Sequence, residues 1–228
     1  MTLNWNNASW LAARQIRDTW IGYLLSPLYF AFLGSVIATD DTILQSIVLP
    51  LLMMILMQAT FSSRYFSMNM DNEVLRHQMF LHSLPLEFGT IVIARAMSML
   101  TAGVINTPVF FIWFWFLGPG FTTIPNFLAW CAFWVGLSFV GLGFSLVQEF
   151  NLNLRNWTIQ NSIIIAIFLV VVTPLLWITD SRPVDWTYTQ AHNHPWLLAL
   201  AGLAMAIAGC AIGIRLAVRG FRNRDFTT

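Results

Sequence analysis

The 228 residues are 57% hydrophobic and only 9% charged, with a mean hydropathy of +0.68, whereas a soluble domain carries about a quarter charged residues. The formal net charge is +1, and all 11 cationic residues are arginine. A chain without lysine cannot build a P-loop nucleotide-hydrolysing site of its own, because that site needs a lysine on the β/γ-phosphates.

The first twenty residues are polar and tryptophan-rich, and they lack the short apolar core and small-residue cleavage site of a cleaved signal. Trp5, Trp10, Leu11, Ile16 and Trp20 are interleaved with Asn4, Asn6, Asn7, Arg14 and Arg17. That pattern predicts an amphipathic segment over 1–19, lying in the headgroup layer before the chain turns inward. Six apolar blocks follow, at 20–39, 44–68, 90–117, 127–148, 161–179 and 196–218. Each is close to the ~20 residues a helix needs to cross ~30 Å of hydrocarbon. Helices satisfy their own backbone groups in lipid, and the ~10-residue alternating segments of a barrel are absent. The expected fold is therefore an all-α membrane protein, a single transmembrane domain over 1–228 with six transmembrane helices.

The joints are polar or rich in turn residues: Asp40-Asp41, Gly118-Pro119-Gly120 with Pro125, Asn151 to Asn156, and an outer loop over 180–195. Ten of the 11 arginines fall on one side of this map. Only Arg182 falls on the other, beside Asp40, Asp41, Asp180 and Asp185. The excess of arginine marks the cytoplasmic side, so both termini are expected there, in the plasma membrane of a bacterium.

Polar residues inside the blocks are Gln58 and Ser62 with Ser63 in the second, Asn106 in the third, and Asn161 with Ser162 at the head of the fifth. In lipid such groups bond across helices or face a pathway. Pro27, Pro50, Pro108 and Pro174 interrupt four blocks as kinks. Gly209 and Gly213, with Ala204 and Ala208, allow close helix packing in the sixth. Cys131 and Cys210 read as small buried side chains. His192 and His194 in the outer loop read as solvated, since two histidines alone make a poor metal site.

The connection over 69–89 is longer than the four to six residues a mere link needs. Asn69 or Asp71 can cap a helix there, Glu73 can pair with Arg76 or His77, and Pro85 stops it. On a helical wheel Met70, Val74, Phe80, Leu81 and Leu84 share one apolar arc, with Leu75 and Met79 opposite. Two apolar faces suit a helix held between the membrane bundle and a partner.

Glu73, Leu81, Leu84, Pro85 and Arg95 follow a pattern of an acidic residue, Leu-x-x-Leu-Pro, and a basic residue closing an apolar run. In this the chain resembles the permease subunits of type-2 family ABC exporters. The resemblance implies a coupling helix from Met70 to Leu84, within the cytoplasmic loop 69–89, that docks on a separate ATP-binding cassette ATPase subunit, with Glu73, Arg76, Met79, Phe80, Leu84 and Pro85 as contacts. It also implies a second permease subunit, identical or related, that completes the pathway. ATP and magnesium belong to the partner, and no cofactor to this chain. The expected partners are the ATPase, the second permease and membrane lipid, with no nucleic acid.

Three alternatives stand beside this reading. A non-transporting scaffold or assembly subunit would share the topology without the docked ATPase. A secondary transporter is disfavoured because no Asp, Glu or Lys lies near the centre of a block. An intramembrane serine protease is disfavoured because Gly143-Phe-Ser145 has no histidine in any apolar block to pair with.

Overall fold

The computed structural model describes residues 4–39, 48–53, 79–117, 121, 123–151, 163, 166, 170, 174, 178 and 183–223, without the side chains of 36, 38 and 39. Among these residues the chain is all-helical, in accord with the expected class. The longer helices are α1 (Trp5–Asp18), α2 (Trp20–Thr39), α3 (Phe88–Leu117), α4 (Ile124–Asn151), α5 (Pro183–Asn193) and α6 (Pro195–Arg222). Three of them, α3, α4 and α6, are long and apolar enough to cross a membrane, and α2 carries a shorter apolar run over Trp20–Ser35. They correspond to the first, third, fourth and sixth expected spans. Positions 48–53 are helical, but most of the second expected span and most of the fifth lie outside the described residues.

α1 forms because Asn4 caps it, its side chain accepting from the Asn7 N–H at 3.2 Å, which satisfies one of the free donors of the first turn. Ala8, Leu11 and Ala12 face the bundle and are buried, while Trp5, Trp10, Arg14 and Arg17 stay exposed. Thr19 closes the helix, with its hydroxyl donating to Gln15 O at 2.8 Å. α2 starts at the next residue.

Two parallel helix pairs carry the bundle. α2 runs alongside α3: the Tyr23 hydroxyl donates to Ser98 O at 2.7 Å, Ser26 donates to Asn106 Oδ1 at 2.8 Å, and Gly34 lies against Phe110. α4 and α6 meet along a glycine seam. A Cβ at Gly136 would strike the Gly202 carbonyl, and one at Gly143 would strike the Gly209 carbonyl. A Cβ at Gly209 would lie 2.7 Å from the Val140 Cα. Backbones can approach this closely only where side chains are missing, and a repeat of seven residues on both helices keeps the seam in register. Gly209 and Gly213 were expected to pack a helix closely and do so, whereas Ala204 and Ala208 are exposed on the opposite face.

The buried apolar side chains divide into two clusters at opposite ends. One joins α1, the chain before α3, the start of α3, and the last turns of α4 and α6, through residues such as Leu11, Leu81, Ile91, Leu146, Ala217 and Phe221. The other joins the far ends of α2 and α3, positions 49–53, the start of α4, α5 and the start of α6, through Phe30, Met53, Phe114, Trp130 and Leu198. Every arginine among the described residues belongs to elements of the first end: Arg14, Arg17, Arg95, Arg215, Arg219 and Arg222. We refer to it as the basic end and to the other as the aromatic end.

Candidate functional site

The connection before α3 reaches the basic end. Of its expected contacts, Glu73 and Arg76 lie outside the described residues, and Met79, Phe80, Leu84 and Pro85 lie within them. Residues 79–83 are helical and the chain then bends through 84–86, as a proline with no N–H and a restricted predecessor requires. The Ser83 hydroxyl donates to Phe80 O at 2.8 Å, and the Leu86 N–H donates to Leu84 O at 2.7 Å. Met79 and Phe80 are 44% and 51% exposed, while Leu81 is 3% exposed and Leu84 packs on the basic-end core. The wheel reading had grouped Phe80 with Leu81 and Leu84. The structure instead puts Phe80 outward beside Met79, because the short turn uses Leu81 to fill the core.

Behind this outward pair the segment is fastened to the ends of α3 and α6, and through Phe221 to α4. The His82 ring lies 5.0 Å from Phe88 of α3 and 5.5 Å from Phe221 of α6. Phe88 meets Phe221 at 5.4 Å, and Phe150 of α4 meets Phe221 at 4.9 Å, both edge to face, the favoured geometry for ring quadrupoles. Phe221 is fully buried. Two turns into α3, the Arg95 Nε donates to Glu149 Oε2 of α4 at 2.9 Å, with the two side chains 16% and 19% exposed. Arg95 stood out as the basic residue of the motif. Glu149 did not, because it falls just beyond the apolar run and only tertiary packing gives it a partner.

Among the other polar residues singled out, Gln58, Ser62 and Asn161 lie outside the described residues. Asn106 is fully buried and bonded to Ser26 across the α2–α3 contact. Ser145 is buried in α4, and the histidines His192 and His194 are exposed at the aromatic end.

The segment over 180–195, expected as an outer loop, contains regular structure. From Pro183 it is helical, and α5 buries Val184, Thr187 and Ala191. The Trp130 Nε1 donates to Thr187 Oγ1 at 3.0 Å, and Tyr188 stacks on Trp130 at 5.2 Å. The Tyr188 hydroxyl has no hydrogen-bond partner among the described residues. Burial pushes its pKa far above the ordinary value, and the Asp185 charge adds to the shift. Tyr188 and Trp186 were legible as aromatic, but the helix was not, because its apolar positions are few and mixed with Asp, Thr and Gln.

Long apolar helices in parallel pairs, a glycine seam and an arginine-bearing end define a multi-pass helical membrane protein. The chain belongs to the ABC-2 transporter family: a family model described as ABC-2 family transporter protein matches residues 14–222. No curated protein and no solved structure matches the chain.

Proposed function

We propose that this chain is the permease subunit of an ATP-driven exporter, in which a separate ATP-binding subunit docks on the connection over 69–89 and a second permease completes the pathway. Family membership over 14–222 supports the permease role. The observation that carries the docking reading is the division of labour within 79–88. Met79 and Phe80 face outward, while His82 lies on the ends of α3 and α6, and Leu81 and Leu84 pack in the basic-end core. An aromatic and a methionine side by side are the residue types that concentrate interface energy.

The mechanism follows from these attachments. A push on the outward pair is passed through Phe88, Phe150 and Phe221 to three helices, and through Arg95 and Glu149 from α3 to α4. The seam then makes α4 and α6 move as one body, because their backbones are in contact. The chain supplies no lysine for a P-loop, so ATP and magnesium are held by the partner. Six transmembrane helices with both ends of the chain in the cytoplasm complete this reading, with the basic end on the cytoplasmic side.

Phe80→Ala and Glu73→Arg are expected to abolish ATP-dependent transport and co-purification of an ATPase while membrane insertion is retained. Normal transport by either variant would remove the docking site, and a wild-type chain that captures no ATPase would favour a scaffold.

A further inference from the structure

The face of α6 opposite the glycine seam is exposed along its whole length. Trp196 is 82% exposed, and Leu197, Leu200, Leu203, Ile207 and Ile212 are each exposed by more than half. No charge interrupts this face until Arg215, Arg219 and Arg222. These three are spaced i, i+4 and i+7, so they form one column, and it lies on the side of the helix turned away from Gly202, Gly209 and Gly213. All three are exposed, and their guanidinium groups make no hydrogen bond or ion pair with any described residue.

The spacing matches a bilayer. The 19 steps from position 196 to position 215 rise about 28 Å at ~1.5 Å per residue, close to the ~30 Å hydrocarbon thickness. Trp196 therefore stands at one interface, where indole prefers to lie, and the arginine column stands at the other. Aliphatic stems can run along the apolar face while the charged heads reach the headgroups. Each planar guanidinium presents paired donors that match two oxygens of one phosphate.

We propose that Arg215, Arg219 and Arg222 form a binding site for the phosphate of an anionic phospholipid whose acyl chains lie along the exposed face of α6. The choice of a lipid over a protein rests on the uninterrupted apolar face leading into the column and on its positive charge, which no described residue pairs with. This site is separate from the docking segment and does not depend on which ATPase engages it.

The test uses the full chain in mild detergent, with retained lipid counted by native mass spectrometry after addition of phosphatidylglycerol or phosphatidylcholine. Wild type should retain phosphatidylglycerol at least tenfold more strongly than phosphatidylcholine. A basic group near an anionic surface is worth about fivefold. Replacing all three arginines by glutamine should therefore remove the preference, and each single Arg→Gln variant should reduce it about fivefold. The triple Arg→Lys variant, which keeps the charge but not the paired donors, should keep only part of it. The single variants leave two cations for insertion, so the test stands even if the triple variant fails to insert. Equal retention of both lipids by wild type would overturn the proposal. So would displacement of the lipid by an equal concentration of inorganic phosphate, or unchanged preference in the glutamine variants with loss of ATPase capture.

Discussion

The two ends of the bundle are packed from different materials. At the aromatic end Phe111, Phe114, Phe121, Phe127, Trp130 and Tyr188 lie ring against ring, with centroids between 4.7 and 6.4 Å, and α5 folds back to close the stack. At the basic end the core is largely small and aliphatic, with Ala8, Ala12, Ala94, Ala96 and Ala217 beside Ile91, Leu142 and Leu146. Its fixed points include an aromatic knot around Phe221 and the Arg95–Glu149 ion pair. Interlocked rings resist relative motion of the helices they join, whereas alanine contacts let elements approach closely with little interdigitation. If a partner docks as proposed, its force enters at the less interlocked basic end, and the ring stack is the part expected to stay rigid.

The sharpest way to break this contrast is to attack what both ends share. Gly143→Leu forces a side chain between backbones already in contact. It should cost more than the ~1–3 kcal/mol typical of overpacking, leaving little folded protein in a thermal unfolding assay in detergent. Trp130→Ala tests the stiff end alone. It empties the centre of the ring stack and should cost ~3–5 kcal/mol, lowering the melting temperature without weakening capture of the ATPase by the surviving protein. Phe80→Ala, being half exposed, should do the reverse, with transport lost and stability within ~0.5 kcal/mol of wild type.

At the basic end, Arg95→Ala or Glu149→Ala should each cost ~2 kcal/mol, as expected for loss of a half-buried charged hydrogen bond, and should uncouple transport from ATP turnover. The exchanged pair, Arg95→Glu with Glu149→Arg, should recover part of both, which thermal melting and transport assays can measure together.

The smallest effect concerns pH at the aromatic end. The Tyr188 hydroxyl is held neutral by burial and by Asp185, while in the unfolded chain it ionises near pH 10. Above that pH the unfolded state binds fewer protons than the folded state, so stability falls as pH rises and is unaffected below it. Tyr188→Phe should flatten this alkaline loss. Because the hydroxyl has no partner among the described residues, the variant should also be neutral or more stable by up to ~1 kcal/mol at pH 7.

Much of the fold was legible because lipid allows so few solutions. The apolar block over 20–39 coincides with α2, and the block over 90–117 differs from α3 by two residues. The blocks over 127–148 and 196–218 fall short of α4 and α6 by several residues. Helices continue into the headgroup layer, where Asn126, Glu149, Arg219 and Arg222 end an apolar count without ending a helix. In the proposed docking segment, the bend at Leu84 and Pro85 was readable from pattern alone. The outward turn of Phe80 was not, because a wheel knows the helical period but not which neighbour competes for the core. The partners of Gly209, Asn106 and Arg95 were invisible for a related reason. Gly143, Ser26 and Glu149 lie 54 to 80 positions away, and only the packed bundle pairs them.

The seam between α4 and α6 also sets an order of events during synthesis. From position 143 to position 209 there are 66 residues still to be made, several seconds of translation at ~5–20 residues per second. Until then the Gly136 and Gly143 face of α4 lacks the helix whose backbone it meets in the folded bundle. The pairing of α4 with α6 is thus a late event, which waits until most of the chain has been made.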